Sequence, residues 1–371
     1  MSTPEDLPEP DRVEGAPHPR ETTRLIGQQA AEAAFLEAFN AGRLHHGWLI
    51  TGPRGVGKAT LAWRIARFLL ASEAAADAPQ GLDIPRDHPV ARRMAALAEP
   101  RLFLLRRAWD EKKKRLKQVI TVDEVRKLGG FFHLSATDGG RRVVIVDSAD
   151  EMNPSAANAL LKLLEEPPAD ATLLLVSHQP SRLLPTIRSR CRELRCTPLP
   201  PADLARAVST ANSDDEGATP PQALAALSGG SVGEALRLSG LGGMETYTEL
   251  VALFSTLPRL ERPRALKLAE SAAGPRNAER FDLLLRLVDL FLTRTARTGV
   301  TGPPLVEAAP GEGELMQRLS PDAAAARAWA ELQQQLSTRA RHGQAVNLDP
   351  AALLLDMFLR INETASRLAA R

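Results

Sequence analysis

Nine residues, Gly52-Pro53-Arg54-Gly55-Val56-Gly57-Lys58-Ala59-Thr60, restrict the fold of this chain more than any other stretch. They match the G-x-x-x-x-G-K pattern of a phosphate-binding loop. Its glycines let successive backbone N–H groups turn inward, and its lysine reaches β- and γ-phosphate oxygens. Such a loop works only between a strand and a helix. Trp48-Leu49-Ile50-Thr51 reads as a short buried strand running straight into it, and residues 58–70 read as the helix that follows. One part is missing. Ala59 stands where Ser or Thr would offer a hydroxyl to Mg2+, and Thr60 is turned about 100° further round the helix. The loop can accept ATP or ADP, Mg2+ is only weakly supported, and the machinery for hydrolysis is incomplete.

Further strands are expected at Phe103-Leu104-Leu105, Val143-Val144-Ile145-Val146, Leu173-Leu174-Leu175-Val176 and near residues 193–196. Helices are expected between them. One covers residues 121–132 behind a capping box of Thr121 and Glu124, and another is capped by Asn153 with Pro154 at its first position. Apolar strands alternating with helices point to a mainly parallel sheet covered on both faces, with ligands at the carboxyl ends of the strands. Asp147 falls at such an end. It reads either as the acidic partner of the loop, holding Mg2+ directly or through water, or as a turn cap. Ser177 ends the next strand, where it could approach a γ-phosphate or be an ordinary strand-end serine. The carboxylate that polarises water in working ATPases of this type is replaced by Ser148, and Glu151 is a weak substitute. From about residue 245 the chain is helical. Phe281, Leu284, Leu285, Val288, Phe291 and Leu292, then Leu353, Leu354, Met357, Phe358 and Ile361, recur at the spacing of a bundle core.

The whole chain has 371 residues and a net charge of +2, which gives no general attraction for nucleic acid. A local exception lies between Arg101 and Lys117, where Arg106, Arg107, Lys112, Lys113, Lys114, Arg115 and Lys117 crowd together. That run reads as a DNA-facing strip or as a solvated loop or helix face. Only two cysteines occur, Cys191 and Cys196, in no spacing suited to zinc, so no metal site is expected. A reducing cytoplasm fits this usage, and no apolar run is long enough to span a bilayer. The first 21 residues, rich in Pro, Glu and Asp, are expected to be a disordered tail. Arg188, Arg190 and Arg192 follow Leu183-Leu184-Pro185-Thr186-Ile187. By chemistry they suit surface ion pairs or bidentate contact with a phosphate.

Several segments together resemble the clamp-loader branch of the AAA+ proteins, which serves bacterial DNA polymerase III. They are Leu25-Ile26-Gly27-Gln28, the glycine loop, Val143 to Asp147, the run from Asn158 to Pro168 ending Glu165-Glu166-Pro167-Pro168, and Ser189-Arg190-Cys191. The resemblance covers about residues 22–240 well and the remainder only in kind. It implies an AAA+ P-loop parallel-sheet domain over 22–198, a small helical lid over 199–243, and an all-α collar for oligomerisation over 244–371. It also implies that Arg190, flanked by Ser189 and Cys191, reaches into the ATP site of a neighbouring subunit. The implied partners are the motor ATPase and delta subunits of a clamp loader, with a sliding clamp and primed DNA met through the complex. Ala59 and Ser148 depart from the motor pattern. So does Gly233, which sits where motor subunits carry a phosphate-sensing arginine. The four-cysteine zinc knuckle of many relatives is absent from residues 71–100. All of this suggests a non-motor subunit that binds nucleotide weakly or not at all. The alternative is an active P-loop ATPase using Thr60 and Glu151 as displaced catalytic groups.

Overall fold

The computed structural model of the chain describes residues 8–12, 16–72, 79–134, 140–211, 221–274, 277–346 and 348–370. They fall into two compact units, one holding the described residues up to 211 with 230–234 and the other those of 221–229 with the described residues from 235 on. The first unit is built on strands β1 (Gly47–Thr51), β2 (Leu102–Arg106), β5 (Arg142–Asp147), β6 (Ala171–Ser177) and β7 (Arg192–Arg195). Their order is β2-β5-β6-β1-β7, and every pairing is parallel. β5 and β6 are buried along their whole length, as continuous apolar strands of a two-sided sheet must be. The register aligns Thr51 with Ser177 and Asp147 with Val176, so the carboxyl ends of β1, β5 and β6 share one edge of the sheet.

Each face has its own core. One face packs Phe35 of α1 (Gln29–Asn40) and Leu61, Trp63 and Ile65 of α2 (Lys58–Ala71) on Trp48, Ile50, Val143 and Leu174. The other packs α4 (Val122–Leu134) and α5 (Pro154–Glu165) on Leu49, Val144, Leu173 and Leu175. The alternation of side chains along each strand divides the two sets. The expected capping devices are present. Asn153 Oδ1 accepts the Ala156 N–H at 2.8 Å, and the Glu124 carboxylate accepts the Thr121 N–H at 2.9 Å. The unit also holds α3 (Pro89–Ala95), α6 (Pro185–Ser189) and α7 (Pro201–Ala211).

Two sequence expectations need correction here. The stretch read as a disordered tail is anchored to the unit at its described residues Glu9, Asp11, His18 and Arg20. His18, fully buried, lies 3.1 Å from Asp11 and 3.5 Å from Glu9, and sits edge-on to Trp63 at 5.9 Å. Arg106 pairs with Asp11 at 2.6 Å and Glu9 at 3.0 Å. Acidic residues that look solvating in sequence are thus neutralised by a cation about a hundred positions away. Residues 1–7 and 13–15 lie outside the described residues. Second, the basic run is neither a helix face nor a plain loop: Trp109–Asp110 (β3) and Arg115–Leu116 (β4) form a small antiparallel hairpin.

In the second unit, α12 (Ala278–Thr301) and α14 (Ala323–Ala345) pack together. Around them lie α8 (Pro221–Ser228), α10 (Gly243–Phe254), α11 (Arg262–Glu270), α13 (Glu312–Leu319) and α15 (Pro350–Ala369). The helix α9 (Val232–Gly240) continues the chain from the first unit into the second. Phe254 meets Phe291 at 4.8 Å and Phe358 at 5.8 Å, so the two expected apolar stripes do form a bundle core. Glu312 is fully buried yet well partnered. Its carboxylate accepts from Tyr247 Oη at 2.5 Å, Arg294 Nε at 2.7 Å and the Ala308 N–H at 2.7 Å. Among the described residues no helix is long and apolar enough to cross a membrane.

Candidate nucleotide-binding site

The glycine loop runs from the end of β1 into α2, the context the pattern requires. Gly52, Gly55 and Gly57 have φ of +138°, +73° and +103°, a region open to glycine and strained for other residues. Two of them are also sterically closed. A Cβ on Gly52 would lie 2.2 Å from the Cys196 carbonyl oxygen, and one on Gly55 would lie 2.3 Å from Ser231 Oγ. Val56 is buried and anchors the loop in the core below. Pro53 and Arg54 are exposed on its outer side, while Ala59 and Thr60 begin α2 half-buried.

Lys58 is buried, and its ammonium donates back to the Pro53 carbonyl within the loop. Burial pulls Lys58 down to about 8, against the nearby carboxylates of Asp147 and Asp150. A phosphate would replace the Pro53 contact and restore the charge. Asp147, at the end of β5, is pushed up to about 7 by burial first, with Asp11 and Glu151 adding to it. Ser177 ends β6 fully buried, and among the described residues its Oγ has no hydrogen-bond partner. Lys58, Asp147 and Ser177 therefore meet at one edge of the sheet, as expected. A polar atom left unpaired there suits a ligand oxygen. For Mg2+ the fit is poor: Ala59 offers no hydroxyl, and Asp147 carries its proton part of the time near neutral pH.

Ser148, which stands where the water-polarising carboxylate was expected to be missing, follows Asp147 directly at the end of β5. Its Oγ donates to Asp147 Oδ1 at 3.1 Å and lies 2.9 Å from Nε2 of His178, a residue the sequence did not single out. Burial, with the cations of Lys58 and Arg54, lowers His178 to about 4, so it is neutral at physiological pH. Glu151, the proposed stand-in, is already engaged by Arg54 at 3.3 Å and Arg107 at 2.7 Å. Gly233 lies against the loop, its N–H donating to the Gly55 carbonyl at 3.0 Å, and it has no side chain to offer a phosphate.

Gln28 is the organiser that local chemistry missed, although it belongs to the Leu25–Gln28 match. Buried at the start of α1, its amide nitrogen donates to Val56 O at 3.0 Å and Thr197 O at 2.8 Å. Its oxygen accepts the Thr197 N–H at 3.0 Å, tying the loop to the chain leaving β7.

Arg190 lies just past α6 and is 38% exposed, paired with Glu165 at 2.9 Å. Its guanidinium also donates to Thr186 O at 3.2 Å. Ser189 Oγ donates to the same carbonyl at 3.1 Å, and burial pushes the Cys191 thiol up to about 12, where it is inert. Among the described residues no hydrogen bond or ion pair links Arg190 to Lys58. An exposed ion pair is worth about 0–1 kcal/mol, so its release costs little.

Residues 27–200 match the family described as DNA polymerase III, delta subunit. The DNA polymerase III subunit delta' of Pseudomonas aeruginosa is 42% identical over 61% of this chain and 65% of its own length. The Escherichia coli subunit delta' is 35% identical over 43% of this chain and 44% of its own. The chain thus spans less than two thirds of these relatives. The E. coli subunit tau is 28% identical over 72% of this chain and 40% of its own length. A DNA polymerase III gamma subunit-related protein of Thermotoga maritima covers 89% of this chain and 99% of itself at 17% identity, with a TM-score of 0.37, too distant to bear on function. Over residues 27–200, then, the chain is similar to the DNA polymerase III delta-subunit family, and that match spans the P-loop parallel sheet.

Proposed function

We propose that this chain is a non-motor subunit of a DNA polymerase III clamp-loading assembly, acting on sliding clamp and primed DNA through its neighbours. One contrast carries the reading. The phosphate cradle of Gly52 to Lys58 is kept while Ala59 and Ser148 lack the hydrolytic groups, and Arg190 stands exposed on a weak tether. Backbone N–H groups of the loop and Lys58 would hold the phosphates of ATP or ADP, and Ser177 would meet a terminal oxygen. A bound nucleotide would supply charge and shape to lock the loop. Arg190 would leave Glu165 for a triphosphate on a neighbouring motor subunit. Such an arginine is worth about 10^3–10^5 in rate. The autonomous-ATPase alternative needs Glu151, whose carboxylate Arg54 and Arg107 already hold. In this reading residues 199–243 form the lid, residues 244–371 the collar that joins delta and motor subunits, and the assembly works in the cytoplasm.

The test is reconstitution with motor subunits, clamp and primed DNA. Arg190→Ala should leave assembly intact and cut DNA-dependent ATPase and clamp loading by more than ten-fold. Unchanged rates would remove the in-trans role. Failure of the wild-type chain to join the assembly would remove the whole reading.

A further inference from the structure

The basic run from Arg101 to Lys117 is divided by the fold into two sets. Arg101 pairs with Glu99 at 3.0 Å, Arg106 with Glu9 and Asp11, Arg107 with Glu151, and Lys117 with Glu124 at 2.8 Å. Their charge is spent inside the unit. Lys112, Lys113, Lys114 and Arg115 are all exposed, and among the described residues none of them has an acidic partner. They occupy the turn and returning strand of the β3–β4 hairpin. That turn is built: Asp110 Oδ1 accepts the N–H groups of Lys112 and Lys113, both at 3.1 Å. Below it, Trp109 faces Leu116 in register, and the Lys117 N–H donates to Ala108 O at 2.9 Å. Lys114 takes φ +47°, the left-handed turn position. Asp110 is occupied by the turn, and Glu111 is the other carboxylate within the hairpin sequence 109–116, so the four cations outweigh it.

A solvated surface places charges of both signs side by side; this one sorts the paired cations inward and presents four unpaired ones on an ordered turn. The geometry points to a polyanion as occupant, and we infer that the hairpin tip binds the phosphodiester backbone of nucleic acid directly. Lysines on flexible stems suit a row of phosphates spaced along a strand, and half-buried Trp109 adds an aromatic at the base. This binding is sequence-independent and driven by counterion release. It is independent of the nucleotide site.

The experiment measures the affinity of the purified full chain for a fluorescein-labelled primer–template DNA by anisotropy, across about 50–200 mM salt. The variant Lys112→Gln/Lys113→Gln/Lys114→Gln/Arg115→Gln leaves Asp110 to close the turn. It should weaken binding about ten-fold or more at the lowest salt and lower the log–log salt slope by up to about 3.6, since each of four duplex phosphates no longer neutralised removes about 0.9. Lys113→Gln alone should lower the slope by about 0.9, which guards against misfolding of the four-fold variant. Arg262→Gln/Lys267→Gln on α11, equal in kind and exposed, should change neither. Unchanged slope, an equal loss in the α11 variant, or no salt-sensitive binding by the wild type would overturn the inference. So would hairpin-dependent binding to phosphatidylserine vesicles tighter than that to DNA, which would mark a membrane contact instead.

Discussion

Gln28 offers a direct way to weigh how the glycine loop is held. Its side chain makes three hydrogen bonds, to Val56 O, Thr197 O and Thr197 N–H, in a setting that leaves it 3% exposed. A net contribution of about 1 kcal/mol per bond gives roughly 3 kcal/mol lost in Gln28→Ala, with more if the two carbonyls and the N–H stay dry. For a unit of this size, 1 kcal/mol moves the melting temperature by about 2–4 °C, so the variant should melt roughly 6–12 °C lower. Gln28→Glu keeps the shape and reverses the donor. At neutral pH it sets a carboxylate against two carbonyl oxygens, so it should be at least as damaging as Ala, with partial recovery on acidification as the carboxyl gains a proton. Thermal unfolding followed by tryptophan fluorescence reads both, because Trp48 and Trp63 are buried in the same core. A loss below about 1 kcal/mol in Gln28→Ala, or a Gln28→Glu protein as stable as wild type at neutral pH, would refute the three-bond account.

Glu312→Ala should cost about 3–5 kcal/mol in urea unfolding, since it strands the Arg294 charge and Tyr247 hydroxyl, whereas Glu312→Gln should cost less. Glu124 is held at about 2, because bonds from Lys117 and Thr121 overcome the burial that would raise it. A depressed carboxylate stabilises the fold above its unfolded value of 4.5, and that contribution fades as pH falls toward about 2, so Glu124→Gln should flatten acid unfolding across this window. In metal-free titrations with ADP, affinity should fall as pH rises through about 7, where Asp147 ionises, and about 8, where Lys58 loses its proton. Lys58→Ala should abolish the second step and leave the first.

The sheet was legible because its signals are local. Apolar runs such as residues 143–146 and 173–176 can only be buried strands beside a glycine loop, and β5 and β6 are found there. The meeting of Asp147, Ser177 and Lys58 followed from strand ends alone. What stayed hidden depends on distant partners. The N-terminal residues Glu9 and Asp11 look like solvent-loving tail until Arg106 is brought beside them. Glu151 looks available for catalysis until Arg54 and Arg107 close on it. The β3–β4 hairpin has strands of two residues each, too short for any periodicity to register. His178 gave no signal because a histidine after a strand has many ordinary uses, and only its 2.9 Å approach to Ser148 marks it.

The central claim is that this chain keeps a phosphate cradle without the groups that cleave its contents. The most direct test is steady-state ATP turnover by the purified full chain with Mg2+ present and no other subunit. The account predicts turnover no higher than that of the Lys58→Ala variant. Sustained turnover that disappears in Lys58→Ala would contradict it.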